Sequence, residues 1–450
     1  MKSMALFIPE IRNLLTDNNY TILRGLLKEL HPADIARGFE DLKPEEQVAV
    51  FKCLSDDEAI EVFEELELEQ QSFLLDSISR GRAGKVLDAM SSDDRADLFS
   101  ELSDETVTRL FNLMKREEVA DVVQLLKYEP DTAGGLMTTD YIALKEDITV
   151  EAAVEAIRKR PKAEMIHYVY VVDESGHLVG VASLRALILA KEGTSLFEVM
   201  DSDPIRVKVD LDQEEVARTV ATYDLLALPV IEHDNRLVGI VTVDDIIDVV
   251  EKEATEDIYR MAGTAFEDDG HKKSIFKIAV LRFPWLFTCL IGGLISGSII
   301  RFFKITLNET IALTFFIPVI LGMGGNVGIQ SSTIVVRGVA LGHLERAQIG
   351  RILSRQMGIG LILGAMCGTL IGVIASLFHM GGEVVALAAG VSMFCSLSLA
   401  AFIGALFPLI FNRLNIDPAI ASGPFVTTVM DITGLTVYFI LASLLVKALT

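Results

Sequence analysis

The stretch "GPFVTTVMDITGLTVYFILASLLV" (423–446) carries one carboxylate, Asp431, in an otherwise apolar run. Between residues 418 and 446 there is no other Asp, Glu, Lys or Arg. About 20 apolar residues suffice to cross a bilayer as a helix. A charge at the bilayer centre costs about 2.5–3.5 kcal/mol on insertion scales and usually faces a water-filled path or pairs with a cation. The stretch therefore predicts a membrane span with a functional carboxylate.

Four further runs in the second half also lack all charged residues. They are 283–300, 310–336, 356–382 and 384–412. With the last run they predict five spans, so residues 275–450 are expected to form an all-α transmembrane domain with five helices. The chain has a formal net charge of −23, and because residues 271–450 carry +7, residues 1–270 carry −30. A soluble, strongly acidic part thus precedes the membrane part, and no nucleic-acid partner is expected.

The orientation follows from the start of the chain and from the basic residues. "MKSMALFIPEIRNLL" lacks the features of a cleavable signal peptide, so we expect the acidic part to stay in the cytoplasm. Nine Lys and Arg residues flank the spans on the proposed inner side and three on the outer side, as the positive-inside rule requires. We therefore expect a multi-pass protein of the plasma (inner) membrane with its C-terminus outside. The four cysteines are scattered and are expected to be free thiols.

The first 130 residues contain a short repeat. From Leu30 onward, seven units of 12 residues begin "LHPADIARGFED", "LKPEEQVAVFKC" and "LSDDEAIEVFEE", with Phe or Leu nine places after the first apolar residue. Ser or Pro followed by an acid marks most helix starts, where a side-chain oxygen caps the helix and acids suit its dipole. Residues 1–130 therefore predict an all-α, superhelical solenoid, since such short helices must stack to bury their apolar stripes. A scaffold without any ligand is the alternative interpretation.

A longer repeat follows. "YVVDESGHLVGVASLRALIL" (170–189) matches "LPVIEHDNRLVGIVTVDDIID" (228–248), and each copy reads strand–helix–strand–turn–strand–helix. This pattern resembles an α+β tandem pair of CBS domains, with the first at 131–200 and the second at 201–250. From "TVDD" onward, residues 242–263 then predict one long acidic helix toward the membrane, with residues 251–274 as the connecting (plug) helix. Its acids repel one another at helical spacing, so the helix is either a solvated linker or a binder of cations.

The span "PVILGMGGNVGIQSSTIVV" (318–336) is interrupted by glycines and carries Asn326 and Gln330. Glycines let backbones approach and expose carbonyls, and amides can hold a hydrated ion through its water; interhelical hydrogen bonding is the alternative. Oxygen ligands without a His or Cys cluster argue against zinc or copper. A hydrated Mg²⁺ held by one carboxylate from each of two chains fits the pattern, and Ca²⁺ or Mn²⁺ fits the same residue types.

The order of solenoid, "AGGLMTTDY" (133–141), two CBS copies, acidic helix, "GGNVGIQSS" and "DITGL" resembles the MgtE family of magnesium transporters over essentially the whole chain. The resemblance implies a homodimeric channel in membrane lipid, with its pore between the second and fifth spans of two subunits. It implies Asp431 as the ion-selecting carboxylate, beside backbone oxygens near Thr427 and the Gly325–Asn326 region. It also implies a cytoplasmic sensor that closes the pore when internal Mg²⁺ is plentiful, which agrees with the self-repulsion of a part at −30.

The family's sensing pattern can be carried over residue by residue. On the solenoid it implies Glu61, Asp93 and Asp97, and Gly135 would offer a carbonyl. In the second CBS copy it implies Asp212, Glu214, Asp224 and the carbonyl of Ala221. On the connecting helix it implies Asp245, Asp248, Glu253, Glu256 and Asp257. Asp417, expected at the start of the last span, would hold an ion near the membrane surface.

Two departures from the family pattern bear on ligands. A CBS copy that binds adenine nucleotide typically has Ser or Thr, two residues, then Asp to hold ribose. The second copy keeps this as "TVDD" (242–245), but the first reads "SLRA" (183–186), with Ala186 in place of the acid. Regulation by ATP is therefore doubtful. Gly423 stands where some relatives carry a polar residue, so selectivity at the pore mouth is expected to differ.

The sequence predicts a Mg²⁺-selective, Mg²⁺-gated channel, with Mg²⁺ as both the transported and the regulatory ion. One alternative is a transporter of another divalent cation, such as Co²⁺ or Mn²⁺. The other is a membrane-anchored nucleotide sensor that conducts nothing, which leaves Asp431 unexplained. No nucleophile–base pair, P-loop or metal-binding His cluster is present in the sequence, so no enzyme is expected and no catalytic residue is named.

Overall fold

The computed structural model describes residues 4–159, 166–264, 275–340, 348–379, 381–414, 416–421 and 423–449. The chain divides into two compact units, residues 1–250 and residues 251–450. The first unit holds the short helices and both small sheets, and the second holds the long apolar helices.

The N-terminal part is a stack of short helices that follow the 12-residue repeat. A 3-10 helix (Met4–Phe7) precedes them. The helices are α1 (Ile8–Thr16), α2 (Tyr20–Leu27), α3 (Pro32–Phe39), α4 (Pro44–Cys53), α5 (Asp56–Glu64), α6 (Leu68–Ser77), α7 (Arg80–Leu87), α8 (Ser92–Glu101), α9 (Asp104–Phe111) and α10 (Arg116–Leu125). Each repeat unit forms one helix, as predicted.

The repeat positions explain why the helices stack. Phe39, Phe51, Phe63 and Phe99 occupy the apolar position nine places into their units, and all four are almost fully buried in one continuous core. Helix starts carry the expected caps: Ser55 receives the backbone N–H of Glu58, whose carboxylate in turn accepts the N–H of Ser55 at 2.9 Å. Such reciprocal caps satisfy donors that a short helix otherwise leaves open.

The two CBS copies form two matching sheets of three strands. A short helix, α11 (Ala133–Leu136), leads into them. The first copy contains β1 (Ala143–Lys145), α12 (Val150–Lys159), β2 (Tyr168–Val172), β3 (Leu178–Ser183) and α13 (Leu184–Leu189), followed by α14 (Leu196–Val199). The second copy contains β4 (Val207–Lys208), α15 (Gln213–Tyr223), β5 (Ala227–Ile231), β6 (Leu237–Thr242) and the start of α16 (Val243–Met261). In each sheet the first strand is parallel and the third antiparallel to the middle strand.

The two copies agree in fine detail. The register shifts at Val171/Val172 in the first sheet and at Val230/Ile231 in the second, which are equivalent places. Both predicted hairpin turns use a residue with positive φ, Gly176 at 84° and Asn235 at 71°. The repeat seen in the sequence is therefore a structural repeat.

Helix α16 is continuous from Val243 to Met261, as the acidic pattern predicted. It starts directly after β6, so residues 251–261 of the connecting segment proposed at 251–274 are the second part of a longer helix. The last residues of that segment, 265–274, lie outside the described residues.

Among its described residues, the second unit contains five helices that are long and apolar enough to cross a membrane. They are α17 (Ile275–Phe302), α19 (Ile317–Ala340) with the 3-10 helix Ile311–Phe316 before it, α20 (Ile349–Leu377), α21 (Gly382–Arg413) and α22 (Pro424–Leu449); a short helix, α18 (Lys304–Glu309), follows α17. All five predicted spans are present, but their ends differ.

The differences at the span ends have local causes. The third span was expected to reach residue 382, but α20 ends at Leu377 because His379, Gly381 and Gly382 turn the chain with positive φ. The last span was expected to start near Asp417, but Pro418–Ala421 is a separate 3-10 helix and α22 begins only at Pro424. Asp417 therefore precedes the span.

Candidate ion pathway and cation sites

Helices α19 and α22 pack closely where the glycine-rich segment meets the stretch around Asp431. A Cβ atom on Gly328 would lie 2.8 Å from Met430 Cγ and 3.0 Å from Val426 Cγ1. On Gly325 it would lie 3.5 Å from Thr427 Cγ2. Gly328 thus allows the backbone of α19 to approach α22, which was one of the two roles predicted from the sequence, whereas the space at Gly325 would accept a Cβ atom.

The polar side chains of these two helices, here called the polar face, remain accessible within the second unit. Asn326 and Gln330, one turn apart on α19, are exposed. On α22, Thr427 and Asp431 are also one turn apart and only half-buried. The Thr427 hydroxyl donates to the Pro424 carbonyl at 3.0 Å. An apolar span has no reason to expose such groups to lipid, so this face needs water, an ion or a second protein surface.

Asp431 stands apart from every basic side chain that the structure describes, since none of the ion pairs of the described residues includes it. The alternative considered from the sequence, a buried pair with Lys or Arg, finds no support among these residues. The polar face therefore presents a carboxylate that has no cationic partner within the described chain.

The first unit brings together acids from three segments that are distant in the sequence. Glu64 at the end of α5, Asp93 and Asp94 in the first turn of α8, and Asp245 in the first turn of α16 interact electrostatically. Burial and the neighbouring carboxylates raise the pKa of Glu64 to about 7. Burial first, and then the adjacent acids, also raise the pKa of Asp93 and of Asp245.

The local bonds of this acidic cluster are incomplete. The Glu64 carboxylate accepts the Ser91 N–H at 3.0 Å, and Asp245 accepts the Thr242 hydroxyl at 2.5 Å. Asp93 is 7% exposed, yet its Oδ1 has no hydrogen-bond partner among the described residues. A buried, unsatisfied carboxylate oxygen among other carboxylates is costly unless a proton or a cation joins it.

The sequence named Asp93 and Asp245 in this cluster, and it missed Glu64, Asp94 and also Asp244, whose charge raises the pKa of Asp94 and of Asp245. Glu61 and Asp97 lie at its edge, where their charges raise the pKa of Glu64 and of Asp94 respectively. No local signal distinguishes the missed acids, because acids are common in the first turns and outer faces of these helices.

The candidate ligands of the second CBS copy lie along α15. Asp212 caps the helix by accepting the Glu214 N–H at 2.9 Å, and Asp224 ends it with a left-handed φ of 51°. Ala221 lies in its last turn. Gly135 is in α11, where a Cβ atom would lie 2.4 Å from the carbonyl oxygens of both Glu129 and Pro130. Asp212 and Asp224 thus define the two ends of α15, and Gly135 packs closely against neighbouring backbone.

A third group of acids lies at the end of α16 in the second unit. Arg260 forms ion pairs with Glu256, one turn earlier, and with Asp417. Asp257 lies beside them, and its pKa is raised to about 6 by burial and by Asp417 and Glu253, against the opposing charges of Arg260 and Arg337. Asp248 and Glu253 are on the same helix.

Within the described residues, no set of three or more His, Cys, Asp or Glu side chains is arranged to hold a metal ion by itself. Mg²⁺ keeps several of its waters and commonly uses only one or two carboxylates.

The CBS copies differ in the residues that could hold a nucleotide. In the first copy, Ser183 caps α13 by receiving the Ala186 N–H at 3.1 Å, and Ala186 offers no acid. A cleft of about 580 Å³ lies beside Ser183, lined also by His167, Arg185 and Leu226. In the second copy, Asp245 is engaged with Thr242 inside the acidic cluster.

Comparison with known proteins gives the family. A family model described as a divalent cation transporter matches residues 317–441, one for the MgtE intracellular N domain matches 30–131, and the CBS domain model matches 133–193 and 196–252. A magnesium transporter MgtE of Thermus thermophilus is 41% identical over 324 residues, 72% of this chain and 72% of the relative. Another, of Bacillus subtilis, is 40% identical over 323 residues, 72% of this chain and 71% of the relative.

Solved structures agree for the soluble part. A crystal structure of the cytosolic domain of the Mg²⁺ channel MgtE in complex with ATP is 41% identical with a TM-score of 0.52, covering 53% of this chain and 98% of that one. The soluble part of a magnesium transporter is 34% identical with a TM-score of 0.52, covering 56% of this chain and all of that one. These relatives are transporters or their soluble parts and not enzymes, and this chain belongs to the MgtE family of magnesium transporters.

Proposed function

We propose that this protein is a homodimeric, Mg²⁺-selective channel that imports Mg²⁺ across the plasma membrane. The observation that carries the proposal is the Asp431 carboxylate, which lies half-buried on the open polar face of α22 with no basic partner among the described residues. A two-fold axis along this face would bring two Asp431 side chains to one hydrated ion. Thr427, Gly325, Asn326 and Gln330 would hold its waters.

The acidic groups supply the proposed mechanism by which Mg²⁺ closes the pore. Acids that are buried beside one another repel, and divalent cations would remove that repulsion and stabilise the packed arrangement. We propose that cytoplasmic Mg²⁺ binds at Glu61, Asp93, Asp97, Asp245 and the carbonyl of Gly135. Further ions would bind along α15 and α16 and at Asp417, and occupancy of these sites would close the pore. The unsatisfied Oδ1 of Asp93 supports an ion at the first of these places.

The proposed topology has the solenoid and the CBS pair in the cytoplasm and the C-terminus outside. Basic residues at the inner ends of the spans support it through the positive-inside rule. Five spans place the two ends of the chain on opposite sides.

ATP is a weaker candidate ligand. A relative's cytosolic domain was solved with ATP, and the cleft beside Ser183 is large enough for part of a nucleotide. Ala186 removes the carboxylate that would hold the ribose, so we propose that any binding of ATP is weak.

Patch-clamp recording of the reconstituted full chain tests the proposal. With Mg²⁺ as the main cation, currents that fall as Mg²⁺ rises on the cytoplasmic face would support the pore and the sensor together. Currents that ignore internal Mg²⁺ would contradict the sensor, and larger currents with Co²⁺ or Mn²⁺ would favour another divalent cation. No current from folded dimer, combined with stabilisation by ATP, would favour the nucleotide sensor.

A further inference from the structure

The basic side chain of Arg260 forms ion pairs within the acidic group at the end of α16. Arg260 pairs with Glu256 on its own helix and with Asp417, which precedes the 3-10 helix before α22. Asp417 also accepts the Ala419 N–H at 2.8 Å, which orients its carboxylate. The guanidinium thus joins two acids that lie far apart in the sequence.

The backbone fixes this meeting point. Gly263, two residues after the end of α16, has a φ of 72°, and its N–H donates to the Arg260 carbonyl at 3.0 Å. Gly423, just before α22, has a φ of 54°, and a Cβ atom there would lie 2.2 Å from the Met261 carbonyl oxygen. The end of α16 and the entry to the last span therefore touch through backbone, and Arg260 lies at this junction.

An Arg⁺ and a hydrated divalent cation seek the same partners. The planar guanidinium can donate to two carboxylates at once, which a point-like ammonium matches poorly. Glu256, Asp257 and Asp417 carry three negative charges, and Arg260 neutralises one of them. Arg260 occupies one oxygen of Glu256 and one of Asp417, so a cation that binds through those oxygens displaces the guanidinium.

We propose that Arg260 is an internal cation that competes with Mg²⁺ for Glu256 and Asp417 and thereby sets the Mg²⁺ concentration at which the channel closes. This inference rests on the proposed gating by cytoplasmic Mg²⁺. When only a fraction of the sites is free of the guanidinium, the apparent dissociation constant rises by the inverse of that fraction. Arg260 is thus a positioning residue that keeps the sensor insensitive to low Mg²⁺.

The test is a Mg²⁺ titration of the full-length channel in patch clamp, comparing the wild type with Arg260→Gln. We expect the half-closing Mg²⁺ concentration to fall at least about threefold in the variant, because competition is removed, while the unitary conductance stays the same. The matched control is Arg413→Gln, at the end of α21, which removes the same charge from an exposed side chain that has no ion pair among the described residues. The control should close at the wild-type concentration.

Two further variants keep the test decisive. Arg260→Lys retains the charge but not the fork, so its half-closing concentration should lie between those of the wild type and Arg260→Gln, and it replaces Arg260→Gln if that variant misfolds. In an Asp417→Asn background, Arg260→Gln should change the half-closing Mg²⁺ concentration by less than it does in the wild type, because one of the two acids that Arg260 pairs with is gone.

An unchanged or higher half-closing concentration in Arg260→Gln would overturn the inference, as would an equal fall in Arg413→Gln. The wild-type titration separates this failure from failure of the proposed function. If the wild type closes and only the ratio between variants is wrong, the gate stands and the competition does not. If the wild type never closes, both fall.

Discussion

The soluble unit and the membrane unit handle carboxylates in opposite ways. The soluble part crowds acids from α5, α8 and α16 against one another, so that burial and repulsion raise their pKa values. The membrane part keeps one carboxylate, Asp431, in its otherwise apolar last span. Crowded acids are stabilised when a cation binds between them, and they release it when the cation concentration falls, which suits a sensor. A single acid on an open face attracts a cation without trapping it, which suits a pathway.

The largest effect is expected from removing the intramembrane carboxylate. Asp431→Ala should lower the Mg²⁺ current at least about tenfold, because a charged ligand in a low-dielectric span is worth more than about 1.4 kcal/mol. Single-channel recording of the reconstituted dimer measures it. Glu383→Ala, which removes an exposed acid from the first turn of α21, should leave the current unchanged. Selective Mg²⁺ current through Asp431→Ala would contradict the assignment of the pathway.

The second-largest effect is expected at the contact between the end of α16 and the entry to α22. Gly423→Ala forces a side chain into a left-handed conformation, at a cost of about 1–2 kcal/mol, and against the Met261 carbonyl. We expect folded channels whose closing needs several times more Mg²⁺, because the end of α16 no longer seats at the entry to α22. Gly293→Ala on α17, where a Cβ atom meets nothing within 4 Å, is the control. Equal Mg²⁺ sensitivity in both variants would show that the junction plays no part in gating.

A smaller effect is expected from changing the pH around the crowded acids of α5, α8 and α16. The pKa of Glu64 is about 7 and those of Asp93 and Asp245 are also raised above their unfolded values, so the packed form prefers them protonated. Their contribution to stability is therefore present at low pH and lost as the pH rises through the folded pKa values near neutrality. In Mg²⁺-free solution, opening of α8 should become rarer as the pH falls from about 8 to about 6.

Hydrogen exchange of the full chain, corrected for the intrinsic rate, measures that opening. Asp245→Asn should slow exchange in α8 at pH 8 by about fivefold, equivalent to about 1 kcal/mol, since the neutral amide mimics the protonated acid. Asp57→Asn, on the exposed first turn of α5, should not change it. Faster exchange in Asp245→Asn would mean that the carboxylate stabilises the packed form.

The smallest effect concerns nucleotide. Calorimetric titration of the detergent-solubilised chain with ATP should give weak binding, and Ala186→Asp should strengthen it by supplying a ribose-binding acid. Ala190→Asp, an acid placed just beyond the end of α13, is the control for added charge. Tight binding by the unmodified chain would show that the cleft beside Ser183 recognises nucleotide without that carboxylate.

Local pattern was enough to predict most of the architecture. Charge-free runs predicted five spans, the 12-residue period predicted the helices of the solenoid, and the matched CBS copies predicted two equivalent sheets with their turns. The span ends were less well predicted, because positive φ at His379, Gly381 and Gly382 and the 3-10 helix Pro418–Ala421 interrupt runs that stay apolar.

What the sequence by itself determined is therefore the set of elements and the intramembrane carboxylate. These depend on hydrophobic period and length, which are properties of neighbouring residues. Only the tertiary structure decided that Glu64 and Asp94 join Asp93 and Asp245, and that Arg260 bridges Glu256 and Asp417. Those meetings depend on how stacked helices and two left-handed glycines bring distant segments together, because an acid in a helix's first turn looks the same in sequence whether it meets water or another acid.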